Sequence, residues 1–174
     1  MTGWDRLIEK LSLLPTRTQV AIKKVAMETA AKKVQGTAKR KAPGFQGDLR
    51  KSIKTTVKLE GDSIVGTIYS NSDHATYVEF GTGPEGASNH AGISPNVNVS
   101  YRTEPWWIPG NLLSEDTVSR YNWLVQKLPD GEYLYWTDGQ KAQPFMYPAL
   151  KENEDKLPII FKRSVMEELR RLSI

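Results

Sequence analysis

The sequence predicts an α+β fold, in which a small antiparallel β-sheet packs against a long N-terminal helix and a C-terminal helix, with a long inserted loop. Three observations support this prediction. Residues 18–41 contain no Pro and repeat apolar side chains at helical spacing. Residues 53–60 alternate in side-chain type, and residues 63–70 form the return strand of a hairpin about a Gly61-Asp62 turn. Residues 150–172 again repeat apolar side chains every three or four positions, and such faces bury one another in a layered fold.

Two helices are predicted before the first strand. Residues 3–14 repeat apolar side chains at helical spacing, and Pro15 ends this first helix. Thr16 or Thr18 can cap the next helix, over residues 18–41, through a side-chain oxygen. The apolar face of this second helix is rich in Ala, so it can lie close to a sheet or to a neighbouring subunit.

The remaining strands are less regular. Residues 75–80 form a third strand or a short helix, and we assign them to the sheet. Residues 121–137 form a hairpin about the turn Pro129-Asp130-Gly131, and this hairpin joins the same sheet. Residues 84–112 show no period and are predicted to be a loop. Pro158 kinks the C-terminal helix or restarts it as a second helix.

The length of 174 residues is that of one ordinary domain. We therefore expect a single domain over residues 1–174, with an N-terminal helical extension at 1–14. A variable insertion is expected at 84–131, and it contains the 84–112 loop.

The composition argues against an enzyme. The chain has no Cys and two His, which removes thiol chemistry and Cys-ligated zinc and leaves little material for an acid–base relay. We expect no cofactor and no metal. No apolar run approaches the roughly 18 residues of a membrane span, so no membrane partner is expected.

The formal charge of +4 is unevenly distributed. Residues 16–54 hold 11 basic and two acidic residues, a segment charge of +9 against −5 for the rest, which favours contact with an anionic partner.

Two candidate ligand sites have simpler interpretations. The segment Phe80-Gly81-Thr82-Gly83-Pro84-Glu85-Gly86 is rich in Gly, but a phosphate cradle needs a helix and a Lys or a third Gly at the right offset. Because Glu85 would also repel a phosphate, a tight turn with positive φ is favoured. His74 and His90 match no metal-ligand spacing, so solvated loop residues are favoured over a metal site.

Two surface features have open interpretations. Arg102, Trp106 and Trp107 lie in the 84–112 loop, and Trp and Arg are frequent interface anchors. The alternative is that the loop folds back and the two Trp rings cap a satellite core.

A stripe of basic residues also follows one side of the 18–41 helix. It is either a solvated helix face or an electrostatic face for nucleic acid or an acidic subunit. It consists of Arg17, Lys24, Lys32 and Lys39.

Three sequence blocks occur in a recognisable order. They are Ala42-Pro43 followed by Gly47-Asp48-Leu49-Arg50-Lys51-Ser52-Ile53, then Tyr77-Val78-Glu79-Phe80-Gly81-Thr82-Gly83, and finally Gly139-Gln140-Lys141-Ala142-Gln143-Pro144-Phe145-Met146-Tyr147-Pro148-Ala149-Leu150. Together they resemble the tail-component family of tailed bacteriophages typified by gene product ten of phage Hong Kong 97. Gln46 departs from the Thr that is usual in that family. The resemblance extends over residues 18–83 and 132–172, and leaves the helix at 3–14 and the 84–131 insertion outside.

The resemblance implies a structural virion protein of the phage neck or tail, without enzymatic activity and made in the bacterial host cytoplasm. Tail completion or head–tail joining is the implied role. The protein would form a homo-oligomeric ring, expected to be a hexamer, that connects the tail tube to the head connector. Its partners would be further copies of itself and the adjacent neck, connector and tail tube proteins.

We expect the oligomer and partner interface to use the second and third blocks and the Arg102–Trp107 region. The expected interface residues are Tyr77, Glu79, Gly81, Thr82, Gly83, Arg102, Trp106, Trp107, Pro144 and Phe145. In an extended segment Val78 and Phe80 would point into the core, while Tyr77 and Glu79 would share the other side. Glu79 would then be an exposed or interfacial acid that pairs with a basic residue of the neighbouring subunit.

The basic stripe has two candidate partners in such a ring: packaged DNA in the lumen, contacted without sequence readout, or an acidic rim on an adjacent ring. The competing function is a small basic nucleic-acid-binding protein without enzymatic activity, for which the charge is the main argument.

Overall fold

The computed structural model describes residues 3–44, 47–120 and 123–172. In chain order its elements are α1 (Gly3–Ser12), α2 (Thr16–Lys41), α3 (Asp48–Ser52), β1 (Ile53–Glu60), β2 (Ser63–Ser70), α4 (His74–Phe80), α5 (Gly83–Ser88), β3 (Trp106–Pro109), a 3-10 turn (Gly110–Leu112), α6 (Glu115–Arg120), β4 (Leu124–Lys127), β5 (Tyr133–Thr137), α7 (Met146–Asn153), a second 3-10 turn (Glu154–Lys156) and α8 (Leu157–Arg171). The mixed helix-and-strand fold with long N-terminal and C-terminal helices is confirmed.

The chain groups into two compact units. Unit 1 contains the chain up to Ala75 and from Phe145 onward, and unit 2 contains residues 76–144. The organisation as a single domain stays a prediction.

Unit 1 is centred on the long helix α2. Ala26 and Ala30 lie on its buried face, and Ile22 extends that face toward α1 and α8. These residues pack with Leu7 and Leu11 of α1 and with Val165 and Leu169 of α8 in one apolar cluster. The small Ala side chains allow α2 to contact α7, α8 and both strands of the first hairpin, as its Ala-rich face predicted.

The start of α2 differs from the expectation. Pro15 is the N-cap residue, and no side chain caps the helix. Thr16 already lies inside it, so the predicted Thr cap is wrong. The carbonyl of Pro15 instead accepts hydrogen bonds from the amides of Thr18 (2.9 Å) and Gln19 (3.1 Å), which opens the helix directly after the Pro.

The strands β1 and β2 form a two-stranded antiparallel ribbon that packs on α2. Ile53 pairs with Ser70 and Leu59 with Ile64, which confirms the predicted hairpin about Gly61-Asp62. A Cβ atom at Gly66 would lie 3.0 Å from the Met27 side chain of α2. The absence of a side chain there allows the ribbon to approach the helix closely.

Pro158 restarts the C-terminal helix. The helix α7 ends at Asn153, a 3-10 turn follows, and Pro158 lies in the first turn of α8, where its missing N–H costs no helical hydrogen bond. Asn153 is buried, and its Nδ2 donates to the Thr37 hydroxyl of α2 (3.0 Å) and to the Ala149 carbonyl (2.8 Å). The bond to Thr37 joins α7 to α2, whereas the bond to Ala149 lies within α7.

Unit 2 contains a second, separate sheet in the order β3-β5-β4, with both pairs antiparallel. The hairpin of β4 and β5 turns at Pro129-Asp130-Gly131 as predicted, although Tyr121 and Asn122, at its predicted start, lie outside the described residues. One sheet containing all strands was expected, and that expectation is wrong. The two sheets lie in different units.

Two further expectations for unit 2 are wrong. Residues 75–80 form the helix α4 and contribute no strand. The 84–112 segment is not one loop, because it contains most of α5, the whole of β3 and a 3-10 turn. Within it, residues 89–105 lack helix and strand. The four residues of β3 form a strand because they pair with β5. Their own sequence does not indicate this pairing.

Candidate assembly interface

The second and third sequence blocks meet in unit 2 as two backbones that cross. Thr82 and Gln140 form a β-bridge, in which each amide donates to the other's carbonyl at 2.9 and 3.1 Å. The Gln140 side-chain amide donates to the Tyr77 carbonyl (2.8 Å), and the Gln143 amide donates to the Val78 carbonyl (2.8 Å). These bonds hold the end of α4 against the segment that follows β5.

Glycines make this crossing sterically feasible. Gly139 has φ +100°, and a Cβ atom there would overlap the Thr82 carbonyl oxygen. Gly83 has φ +63°, and its Cβ atom would lie 2.5 Å from the Asp138 carbonyl oxygen. We call this region, with Gly81, Gly83 and Gly139 around the Thr82–Gln140 bridge, the glycine crossing. Positive φ at Gly81 and Gly83 confirms the tight turn that the sequence favoured over a phosphate cradle.

A groove of about 320 Å³ opens beside the glycine crossing. The guanidinium carbon of Arg102 lies 5.1 Å from the centre of the Trp106 ring, a cation–π distance. The Tyr101 hydroxyl donates to the Phe80 carbonyl (2.8 Å), and burial raises the pKa of this phenol. The volume of the groove lies at the lower end of the roughly 300–1,000 Å³ of small-molecule sites. An open aromatic surface with one exposed cation suits a protein segment better than a substrate.

Six of the ten expected interface residues line this groove. They are Tyr77, Gly81, Thr82, Gly83, Arg102 and Trp106. Tyr77 is 55% exposed, whereas Gly81 and Gly83 are buried and contribute backbone. The sequence predicted these residues as members of one interface, and the structure places them around one groove. Their role in contacting another subunit stays a prediction.

Glu79 does not fit the expected role. Because residues 74–80 are helical, Tyr77 and Glu79 do not share one side of an extended strand. Glu79 is only 5% exposed, so the expectation of an exposed acid is wrong. Val78 and Phe80, which were expected in the core, are each half-buried.

The other three expected interface residues lie away from the groove. Trp106 and Trp107 are neighbours on β3, and successive side chains of a strand point to opposite faces. Trp106 therefore faces the groove, and Trp107, 39% exposed, lies on the other face of the sheet. Phe145 is fully buried in unit 1 at the start of α7, and Pro144 is half-buried. Phe145 is a core residue, which corrects its assignment to an interface.

An exposed apolar group on the face of Trp107 was not predicted from the sequence. Trp136 lies directly opposite Trp107 in the register of the sheet and Leu124 lies opposite Trp136, and both are exposed. The alternating Tyr-Leu-Tyr-Trp-Thr of β5 indicated a strand. It did not show which of its faces stays uncovered.

The basic stripe lies on α2 in unit 1. Arg17, Lys24 and Lys32 are exposed and Lys39 is half-buried. Lys32 lies 4.0 Å from Glu28, one turn earlier, at the limit of an ion pair between two exposed side chains. The stripe thus presents cations to solvent, and its contact with a partner stays a prediction.

The two histidines lie at the start of α4 and just after α5. His74 is exposed at the start of α4. His90 stacks on the Tyr101 ring at 5.6 Å, and its Nδ1 lies 3.0 Å from the Gly86 carbonyl oxygen. Among the described residues, no three or more His, Asp or Glu side chains converge to hold a metal ion. The same residues include no helix long and apolar enough to cross a membrane.

Residues 5–81 match the family model described as "Bacteriophage HK97-gp10, putative tail-component". This part of the chain is similar to the HK97-gp10 tail components. The matched residues cover most of α1, then α2, α3, the β1–β2 ribbon and α4, and end at the first glycine of the crossing. The family resemblance read from the sequence is confirmed.

The extent of the match differs from the expectation. It includes α1, which the sequence resemblance left outside, and it includes neither the 84–131 segment nor the third block. The description of that family is that of a bacteriophage tail component. No curated protein and no solved structure matches the chain.

Proposed function

We propose that this protein is a structural component of the phage neck or tail that forms a ring and connects the tail tube to the head connector. The match of residues 5–81 to the HK97-gp10 tail components is the observation that supports this proposal most directly. Tail completion or head–tail joining is the specific role, adjacent neck and tail tube proteins are the partners, and a hexamer is the expected ring.

The surface of the chain suits assembly. Large apolar side chains are exposed in both units, among them Ile159 in unit 1 and Leu124 in unit 2, at 68% and 63%. Unit 1 contains 20 basic and 12 acidic residues, whereas unit 2 contains four basic and eight acidic residues. Opposite net charges on two parts of one chain favour contact between identical copies.

The mass of the purified full chain in solution tests the ring. We expect a concentration-dependent oligomer in the absence of DNA, measured by light scattering after size exclusion, and closed rings in negative-stain images. A strict monomer at every concentration that binds DNA with micromolar affinity would instead favour the competing nucleic-acid-binding function.

The exposed stripe on α2 supports that second candidate, and it also fits a ring whose lumen passes DNA. Each exposed Lys that contacts a phosphate releases counterions, so its removal weakens binding at all sequences. In either case a triple Lys24→Gln, Lys32→Gln, Lys39→Gln variant should reduce DNA affinity and the salt dependence of binding.

Three exposed Lys of unit 1 outside the stripe, Lys10, Lys54 and Lys58, provide a control with the same change in charge. Equal loss in the control would mean that net charge, and not the stripe, determines binding. A ring map in which the stripe faces away from the channel would exclude the DNA contact in the assembled particle.

A further inference from the structure

One face of the unit 2 sheet is apolar and exposed. The register places Trp107 opposite Trp136 and Trp136 opposite Leu124, so the three side chains form a row across all three strands. Their exposed fractions are 39%, 36% and 63%. We define the aromatic face by this row and the next row of the same face, which contains Pro109, Leu134 and Gln126.

The surroundings of the aromatic face are acidic. Asp130 and Glu132 lie in the turn between β4 and β5, at one end of the sheet. Glu104 precedes β3 and Asp138 follows β5, at the other end. Lys127, the nearest cation on β4, belongs to the opposite face, where its Nζ lies 5.6 Å from the centre of the Tyr133 ring. An apolar patch with acids at both ends suits a partner that is apolar and basic.

The outward side of α8 in unit 1 has that character. Its buried side, with Val165 and Leu169, packs in the core, and the opposite side exposes Ile159 (68%) and Met166 (38%). Cations lie between and beyond these two apolar side chains, because residues three, four, seven and eleven positions apart share a helix face. We define the basic strip as Ile159, Lys162, Arg163, Met166 and Arg170, which line one shallow depression with Glu167.

The charges of the strip remain net positive after its internal ion pair. Arg163 Nε donates to Glu167 Oε1 at 3.0 Å, and both side chains are exposed. Lys162 Nζ lies 5.0 Å from the centre of the Trp4 ring of α1. Arg170 forms no ion pair with any acid in the described residues. Lys162 and Arg170 can therefore meet an acidic, aromatic surface without losing an existing salt bridge.

We propose that the aromatic face of one copy docks on the basic strip of the next copy. The inference rests on the proposed ring assembly and names the two surfaces that join its subunits. The contact is heterologous, since each copy uses a different patch on each side, and such contacts repeat from copy to copy until a ring closes. Trp107 and Trp136 are the anchors, and Lys162 and Arg170 pair with the acids and ring faces around them.

Two charge-introducing variants test the surfaces. Leu124→Glu places a carboxylate in the aromatic row, and Ile159→Glu places one in the strip. Both positions are largely exposed, so the monomer keeps its fold, checked by circular dichroism and melting temperature. Burying an unpaired charge at the centre of an interface should weaken association by at least about 30-fold, given the roughly 2 kcal/mol or more of hot-spot losses. Trp136→Ser is the second variant of the aromatic face.

Mixing the two variants gives the sharpest readout. Leu124→Glu retains an intact basic strip and Ile159→Glu retains an intact aromatic face, so an equimolar mixture should form a one-to-one dimer of about twice 19.6 kDa that does not extend. Leu59→Glu, at the 46% exposed tip of the ribbon, is the matched control and should assemble like the wild type.

Each other outcome overturns a stated part of the inference. If both variants assemble like the wild type, the two surfaces are not the interface and the ring itself stands. If each variant is monomeric and the mixture is monomeric too, the aromatic face and the basic strip do not bind each other. If the wild type is monomeric at every concentration, the proposed ring function fails, and the inference that rests on it fails with it.

Discussion

The two units are stabilised in different ways. In unit 1 the tightest packing is between side chains, where Ala26 of α2 and Val165 of α8 are fully buried in the apolar cluster. In unit 2 the tightest packing is between backbones, where Gly139 passes the Thr82 carbonyl. Unit 1 should therefore be sensitive to side-chain volume, and unit 2 to the addition of a single Cβ atom at the crossing.

Gly139→Ala should have the largest effect. The new Cβ atom meets the Thr82 carbonyl oxygen and the backbone has φ +100°, so clash and strain act together. We expect a loss of more than about 3 kcal/mol in the stability of unit 2. Amide hydrogen exchange measures it as lost protection in β3, β4 and β5 with unchanged protection in α2.

Gly131→Ala tests the effect of backbone strain in the absence of a steric clash. Gly131 has φ +91° but no atom within 4 Å of its Cβ position, so only the strain of about 1 kcal/mol remains. Equal losses in the two variants would mean that the glycine crossing is not sterically tight.

Leu169→Ala tests the expected sensitivity of unit 1 to side-chain volume. Leu169 is 3% exposed in the apolar cluster of unit 1, and truncation should cost about 2–5 kcal/mol, measured by denaturant unfolding. The exposed Leu172, which follows the last residue of α8, is the control, with an expected change within about 0.5 kcal/mol for Leu172→Ala. If Leu169→Ala lowered amide protection in unit 2 as much as in unit 1, the two units would share one core.

The smallest effect concerns an ion pair in unit 1. Lys41 Nζ lies 2.9 Å from Glu152 Oε2 and joins the end of α2 to α7. The hydrogen bond and charge of Lys41 lower the pKa of Glu152. A carboxyl whose pKa falls on folding stabilises the fold above its unfolded pKa, and this contribution disappears as the pH falls through the folded pKa.

Lys41→Met should accordingly lower the melting temperature slightly at neutral pH and leave it unchanged in acid, where Glu152 is protonated. Lys24→Met, which removes an exposed Lys with no ion pair within the described residues, is the control. A deficit for Lys41→Met that persists in acid would show that the Lys41 stem, and not its charge, stabilises the helix pair.

Local pattern predicted unit 1 better than unit 2. Residues close in sequence determine the helical spacing of apolar side chains in α2. The same is true of the alternation along β1 and of the new helix that has Pro158 in its first turn. In contrast, the seven residues of α4 are too few to separate a helical period from an alternating one, and the strand interpretation failed there. The pairing of β3 with β5 joins residues far apart in the chain, and no window around Trp106 contains its partner.

The residues of the candidate interface were also predictable from the sequence only in part. The motif residues Tyr77, Thr82 and Gly83 could be selected from sequence because they stand in a recognisable block. Trp136 and Leu124 could not, because alternation along a strand predicts two faces and does not say which one is covered.

The Thr82–Gln140 bridge has a practical consequence. It brings together the two ends of a long chain segment, so that the segment leaves and rejoins the rest of the protein at one point. The entropy of closing a loop grows slowly, by about 0.6 kcal/mol for each doubling of its length. The exposed turn at Asp130-Gly131, far along the chain from both ends, should therefore accept a foreign peptide with little loss of stability of the single chain.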